Sequence, residues 1–400
     1  MEVAEERDVV IIGGGICGLA TALALHRKNI RSVVLERSET LRATGAGIGI
    51  RPNGWRALEQ LGVASKLRPT ATPVLAQRFV WLDRGSQKII PFSSGETRCL
   101  KRSDLINALA DDLPHGTIRF GSKLLSLKLD LHTSFPILQL DDGSFIKAKV
   151  VIGCDGVNSV IADFLDLKPT KVFSTGAVRG LSDYPSCHSF SQELVITKKG
   201  DVSIGRVPVS DKLIYWFVSQ WRTQDLKILK DADLIRQSTL ELIQGFPAEL
   251  VEMIKMSDPD SLSSTQIRYR APWHLLSGSF RKGTVTVAGD AMHVMGPFLG
   301  QGGSAGLEDA IVLARCLHQK LIGFDLSSSP TQIIMQKVGE SFDEYVRERR
   351  MRVVMLSLQA YLTGFLMGSP SMLVKLLSVI FMVIFFRDTL RHTRYDCGGL

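Results

Sequence analysis

No two of the six cysteines, at positions 17, 99, 154, 187, 316 and 397, stand as C-x-x-C, and no histidine spacing resembles a zinc site. A structural zinc is therefore not expected, and no metal is assigned. Internal repeats and low-complexity linkers are missing as well, which sets aside solenoids and disordered tethers. So is a basic stripe interleaved with aromatics, the footprint of a nucleic-acid binder, and no nucleic-acid partner is expected. The acidic, polar opening MEVAEERD runs directly into an apolar strand and leaves no room for a targeting peptide, so a cytoplasmic location is expected.

What remains is a 400-residue chain with 45% hydrophobic and 22% charged residues, a folded globular composition on a length beyond one ordinary domain. Its net charge of +8 is unevenly spread. From Tyr345 onward eight basic residues face three acidic ones, so +5 of the +8 falls in the last 56 positions. The same region holds an apolar run, Met372 to Phe386, 15 residues broken only by Lys375 and Ser378. As a helix it would span about 22 Å, less than the roughly 30 Å of a bilayer core. A terminal helix packed on the protein is the favoured reading, and peripheral membrane contact through residues 370–395 is the alternative.

Apolar strands run into glycine turns and helices at three places. VVIIGG leads into ICGLATALALHRK and then RSVVLER, a β-α-β unit. KVVIGCDG at 149–156 leads into VNSVIADFL, and GTVTVAGDA at 283–291 into a glycine loop and GSAGLEDAIVLARCL. Three such joints predict a doubly wound parallel sheet. Residues from about 170 to 275 alternate apolar and polar instead, as in VSIGRVPV and KLIYWFVSQW. They predict an antiparallel sheet, which QRFVWLDRGSQKIIPF at 77–92 would join, so that both units are discontinuous in sequence. The tryptophans at 216, 221 and 273 are read mainly as core or sheet-face packing, and Cys17 and Cys154 as small buried hydrophobes.

The first joint carries its own chemistry. Gly13, Gly15 and Gly18 form G-x-G-x-x-G between strand and helix. Gly13 permits the tight turn, Gly15 lets the backbone approach a pyrophosphate, and Gly18 lets helix and strand pack closely. The helix N-terminus then faces the phosphate charge. Glu36, eighteen residues after Gly18 at the end of the next strand, is placed to accept hydrogen bonds from a ribose diol, with Arg37 beside it over the adenine.

Together GGGICG at 13–18, CDGVNS at 154–159 and AGDAMHVMGPFLGQGGSAGLEDA at 288–310 resemble the group A FAD-dependent monooxygenases, the aromatic hydroxylase family. Within it the chain looks most like plant monooxygenases related to zeaxanthin epoxidase and like salicylate or 3-hydroxybenzoate hydroxylases. The resemblance covers residues 8 to 350 or so. It implies an α/β fold: a Rossmann-like FAD-binding domain at 1–70, 98–165 and 276–345, an antiparallel β-sheet substrate domain at 71–97 and 166–275, and a C-terminal helical segment at 346–400. It also implies FAD as cofactor and NAD(P)H as co-substrate. Dioxygen and a small organic substrate would be the partners, with one oxygen atom used to hydroxylate a small aromatic or epoxidise a lipophilic substrate.

On the family's pattern, Asp290 of the GD pair bonds the ribityl hydroxyls, Gly302 and Gly303 approach the flavin ring, and Arg102 reaches the FAD phosphates. Asp155 and Gly156 serve flavin and nicotinamide handling. Ser304 stands where the family commonly has Asn, which shortens the side chain and leaves open how that helix start is capped, serine being a competent cap, and Ala162 stands where a basic residue usually closes the DG pattern. His293 is read as part of a structural turn. No acid, base or nucleophile is assigned, because the flavin carries the hard chemistry. Arg179, Arg206 and Arg270 are candidate substrate anchors, each more readily a surface or sheet-edge arginine. The competing reading is a catalytically silent FAD-binding protein docked to a membrane or partner through its basic, apolar C-terminus.

Overall fold

The computed structural model describes residues 4–41, 46–92, 95–221, 230–368, 371–388 and 390–400. Its first large sheet is centred on Glu5–Ile12, which pairs in parallel with Phe145–Gly153 on one side and Val33–Leu35 on the other. Val285–Val287 extends the parallel order beyond Phe145–Gly153, and Ile118–Arg119 extends it beyond Val33–Leu35. The central strands are buried on both faces, which is why they read as unbroken runs of Val and Ile. An antiparallel hairpin, Leu124–Leu129 and Pro136–Leu140, branches from Phe145–Gly153.

Register matters most here. Ile12 stands opposite both Gly153 and Leu35, and Gly153 stands opposite Val287. The residues that follow, Gly13, Glu36, Cys154 and Ala288, therefore leave the sheet along one edge, the carboxyl end of the parallel strands. Ligands of open α/β sheets bind at that edge. The helix Ile16–Arg27 is buried from Gly18 to Leu25 and packs against both the sheet and the helix Gly302–Leu321.

The second large sheet has seven strands, in the order Ser263–Tyr269, Lys171–Asp183, Leu213–Trp221, Val202–Ser210, Glu193–Lys199, Ala76–Trp81 and Ser86–Pro91. The segment at 77–92 does join it, as a hairpin on one edge. The sheet is not wholly antiparallel, however: Ala76–Trp81 and Glu193–Lys199 run parallel. Residues 82–192 separate these two strands, a stretch that includes four strands of the first sheet, Ile118–Arg119, Leu124–Leu129, Pro136–Leu140 and Phe145–Gly153, and only a long connection can bring parallel strands together. A small sheet of Gly47–Ile50, Arg98–Lys101 and Thr72–Pro73 lies between the two.

The seven-stranded sheet has two different faces. Ile214, Trp216 and Val218 point to one side, into a core roofed by the helices Ala232–Leu242 and Ala248–Lys255. Trp216 is fully buried there, its indole Nε1 donating to Ser257 Oγ at 2.9 Å. Tyr215, Phe217 and Trp221 alternate to the other side. That side meets the first unit: a Cβ on Gly47 would touch Tyr215 Cβ at 2.7 Å, and Trp221 stacks on Phe298 at 6.5 Å. Trp273 belongs to neither face and is half exposed.

Two helices end the chain. Thr331–Gly368, 38 residues, is followed by Met372–Phe385, 14 residues. The second departs from the packed helix that the apolar run suggests. Only Ser378 is buried on it, and ten of its large apolar residues are exposed. A helix apolar on all sides needs neighbours on all sides to be buried, and this one rests mainly on Thr331–Gly368. Among the described residues no helix is long and apolar enough to cross a membrane.

Candidate functional site

Three loops meet at the carboxyl edge of the parallel sheet. At the first, Gly13 has φ +102°, and a Cβ on it would come within 2.6 Å of the Cys154 carbonyl oxygen. A Cβ on Gly18 would collide with the Gly13 carbonyl, whereas nothing lies within 4 Å of one on Gly15. The helix behind has no side-chain cap and no acidic residue in its first turn. Its leading N–H groups therefore face open space that suits an anion. Glu36 closes the turn from the next strand, accepting from Gly14 N at 2.7 Å and Ser38 N at 2.9 Å. Arg37 follows it, exposed. Beneath the turn, contact with the Cys154 thiol and then burial push Cys17 well up, and both cysteines pack as hydrophobes.

At the second loop, Asp155 Oδ2 accepts from Val160 N at 2.8 Å. Its Oδ1 is buried without a partner, and burial pushes its carboxyl above the usual range. Gly156 follows with φ +80°, and Ser159 caps the short helix Val160–Phe164 by accepting from Ala162 N. Ala162, which replaces the usual basic residue of this pattern, is buried.

The third loop brings Asp290 and Gly302 together: a Cβ on Gly302 would lie 3.9 Å from Asp290 Oδ1. The Asp290 side chain is exposed, yet desolvation by the surrounding protein raises its pKa. That combination describes a carboxyl facing an interior cleft. The charge of Arg102, at the start of the helix Arg102–Asp111, favours the ionised form. Gly303 abuts Ile48 of the small sheet. Ser304 does not cap this helix: the helix begins at Gly302 after Gln301, which leaves Ser304 inside the first turn, buried, its Oγ without a partner. The hydroxyl is instead turned to Gly54, where a Cβ would come within 2.6 Å.

Behind the third loop lies a buried ionic cluster that pattern reading of the sequence did not find. Arg349 Nε donates to Asp309 Oδ1 at 2.7 Å and its Nη2 to Glu308 Oε2 at 2.8 Å, with all three side chains inaccessible. Arg352 adds a 2.8 Å contact to Glu308, and Asn53 Nδ2 donates to both Glu308 and Gln301. Asp309 Oδ2 accepts from Gly289 N at 2.8 Å and pairs with His293 Nε2 at 2.6 Å. Burial alone would raise the carboxyls of Glu308 and Asp309; the surrounding cations outweigh it and hold both below their ordinary values. His293 is thus bound into the framework of the turn. The signal was present as adjacent carboxylates inside the apolar helix AGLEDAIVLA, since buried charges are paired charges.

The candidate arginines separate. Arg206 and Arg270 are buried, not surface residues. Arg206 stands opposite Trp216 on the helix-covered face, its guanidinium over Phe190 at 4.1 Å, so sheet alternation turns it away from the cleft. Arg270 Nη2 donates to the Ala291 carbonyl at 3.2 Å and braces the third loop. Arg179 alone lies on the Tyr215 and Phe217 face, opposite Phe217, with Nε donating to Ser263 Oγ at 3.1 Å. A surface hollow lined by Asp8, Asn29 and Phe324 includes none of the site residues and lies at the far end of the Glu5–Ile12 strand.

An anion-ready turn, a buried unpartnered acceptor and a deep, open carboxylate along one sheet edge form a set that suits a dinucleotide with a polyol chain. Residues 6–325 match the family described as FAD binding domain, and the chain belongs to that family. It is 48% identical over 398 residues to Monooxygenase 1 of Arabidopsis thaliana, covering 99% of this chain and 100% of that one. Monooxygenase 2 of the same plant is 34% identical, with both chains covered in full. HpxO of Klebsiella pneumoniae, solved with FAD and uric acid, shares the fold at a TM-score of 0.76 and 21% identity, over 93% of this chain and 91% of that one. The protein is an FAD-dependent monooxygenase, an oxidoreductase.

Proposed function

We propose that the enzyme uses NAD(P)H and dioxygen to hydroxylate an electron-rich aromatic substrate bound between the sheet edge and the Tyr215–Phe217 face. Bound FAD supplies the redox and oxygen-transfer chemistry. Gly13, Gly15 and Gly18 hold its pyrophosphate, Glu36 and Arg37 its adenosine end, and Arg102 its phosphates. Asp290 takes the ribityl hydroxyls, Gly302 and Gly303 lie against the ring, and Asp155 with Gly156 completes the cleft. The ranges 1–70, 98–165 and 276–345 then form the cofactor unit, and 71–97 with 166–275 the substrate unit. The chain's own part is to orient the substrate and keep out water, and Arg179 beside Tyr215 orients it by a phenolate or carboxylate.

One observation carries the substrate class: alternation puts Arg179 on the face turned to the cofactor unit and Arg206 on the other, while Arg270 is taken up by the Lys168 and Ala291 carbonyls. The test is oxidation of NADH and of NADPH by the FAD-loaded protein across a panel of phenols and aromatic acids. At least one is expected to hasten flavin reduction, and Arg179→Ala to raise its KM about tenfold or more with kcat little changed. Indifference to the whole panel would overturn the reading. We also propose peripheral membrane contact through residues 370–395, on the cytoplasmic side.

A further inference from the structure

The helix Met372–Phe385 is built inside out. Ser378 is the residue it buries, and Lys375 is partly covered near Lys198. Leu373, Leu376, Ile380, Phe381 and Ile384 point outward with 43–65% of their surface exposed. A helix on a water-soluble surface shows the opposite order, apolar stripe inward and polar face outward.

The helix is also no frayed end. The chain after it returns to the body: Arg352 Nη2 donates to the His392 carbonyl at 2.8 Å and Arg56 Nη1 to that of Arg394 at 2.7 Å. Further on, Arg315 Nη1 donates to the Cys397 carbonyl at 2.5 Å, and Gln60 Oε1 accepts from Leu400 N at 3.2 Å. Tyr395 lies under the Arg352 guanidinium at 4.3 Å. With the long helix before it and this strap after it, the apolar surface is displayed from a fixed base.

Charge decides between occupants. Residues 371–395 carry Lys375, Arg387, Arg391 and Arg394 against Asp388 alone, a net +3, and Arg387 and Arg391 are exposed beyond the helix end. A second copy on the same face offers them no carboxylate, because Met372–Phe385 carries no acidic residue. An anionic bilayer surface complements them. At 14 residues the helix is about 21 Å long, too short to span but suited to lying at the level of the headgroups.

We propose that this helix is a lipid-docking surface that inserts the Leu376, Ile380 and Ile384 side into the leaflet of an anionic membrane, with Arg387 and Arg391 on the phosphates. The inference rests on the peripheral-contact reading above and specifies its face and its lipid. The test is flotation of the FAD-loaded full-length protein with phosphatidylcholine vesicles, with and without phosphatidylserine. Binding is expected to need phosphatidylserine. Combining Leu376→Ser, Ile380→Ser and Ile384→Ser should weaken it about tenfold or more, and Arg387→Gln with Arg391→Gln about fivefold per charge removed. Flavin absorbance and melting temperature, unchanged in both variants, would show that the fold survives.

Loss of neither binding nor lipid preference in these variants would overturn the proposed face and leave peripheral contact standing. No flotation of the wild type with any vesicle would overturn both. Concentration-dependent dimers that the triple serine variant abolishes, without vesicle binding, would assign the surface to a second copy instead.

Discussion

Two successive helices reverse the usual order of inside and outside in opposite ways. Thr331–Gly368 carries Arg349 into full burial, while Met372–Phe385 holds a row of leucines and isoleucines in the open. The difference lies in partners. Arg349 meets two carboxylates and, through them, Arg352, Asn53 and His293, so its charge is compensated at the cost of desolvation. The apolar row meets nothing comparable among the described residues. Burial follows completed interactions more closely than it follows residue type, and the second helix is the one whose interactions are incomplete.

The largest effect that could break this comparison is expected at Arg349. Arg349→Ala leaves Glu308 and Asp309 buried with half their compensation gone, and should cost about 3–5 kcal/mol of stability. Urea unfolding of the FAD-loaded protein would measure it; a loss below about 1 kcal/mol would mean that the cluster is not the fastening it resembles. A smaller effect should appear with acid. Glu308 and Asp309 are held below their ordinary values in the fold, so their stabilisation is complete above about pH 4–5 and drains as pH falls through the folded values. Asp155 and Asp290 are raised by burial and have the opposite slope. Stability that falls on acidification, with a shallower fall in Asp309→Asn, would show the cluster dominating; stability that rises would show the raised pair dominating.

The sequence made one of these regions more legible than the other. Three strand-turn-helix joints could be read directly, because glycine spacing and apolar runs are local signals, and register then aligned them along one edge. Direction of pairing could not: alternation shows which face a residue takes but not which way its neighbour runs, and the parallel pair Ala76–Trp81 with Glu193–Lys199 escaped for that reason. The ionic cluster joins Asn53, Glu308 and Arg349, far apart in sequence, so adjacent carboxylates in an apolar helix announced buried charge without naming its partners. Arg206 and Arg270 were misjudged on residue type alone. Met372–Phe385 was misjudged because an all-apolar pattern states a demand for burial but not whether the chain meets it.

That last point yields the smallest effect and the sharpest comparison. Leu356 and Leu376 are the same residue on consecutive helices, one with 1% of its surface exposed and the other 57%. Leu356→Ala opens a cavity beside Met295 and Ala305 and should cost about 2–5 kcal/mol. Leu376→Ala removes contacts mostly with water, and in vesicle-free buffer should stay within about 0.5 kcal/mol of wild type. Melting curves of dilute protein would compare them under one condition. A cost at Leu376 approaching that at Leu356 would mean that the outer helix is covered in solution, and because dilution weakens contact with a second copy but not contact within the chain, repeating the melts at higher concentration identifies the cover.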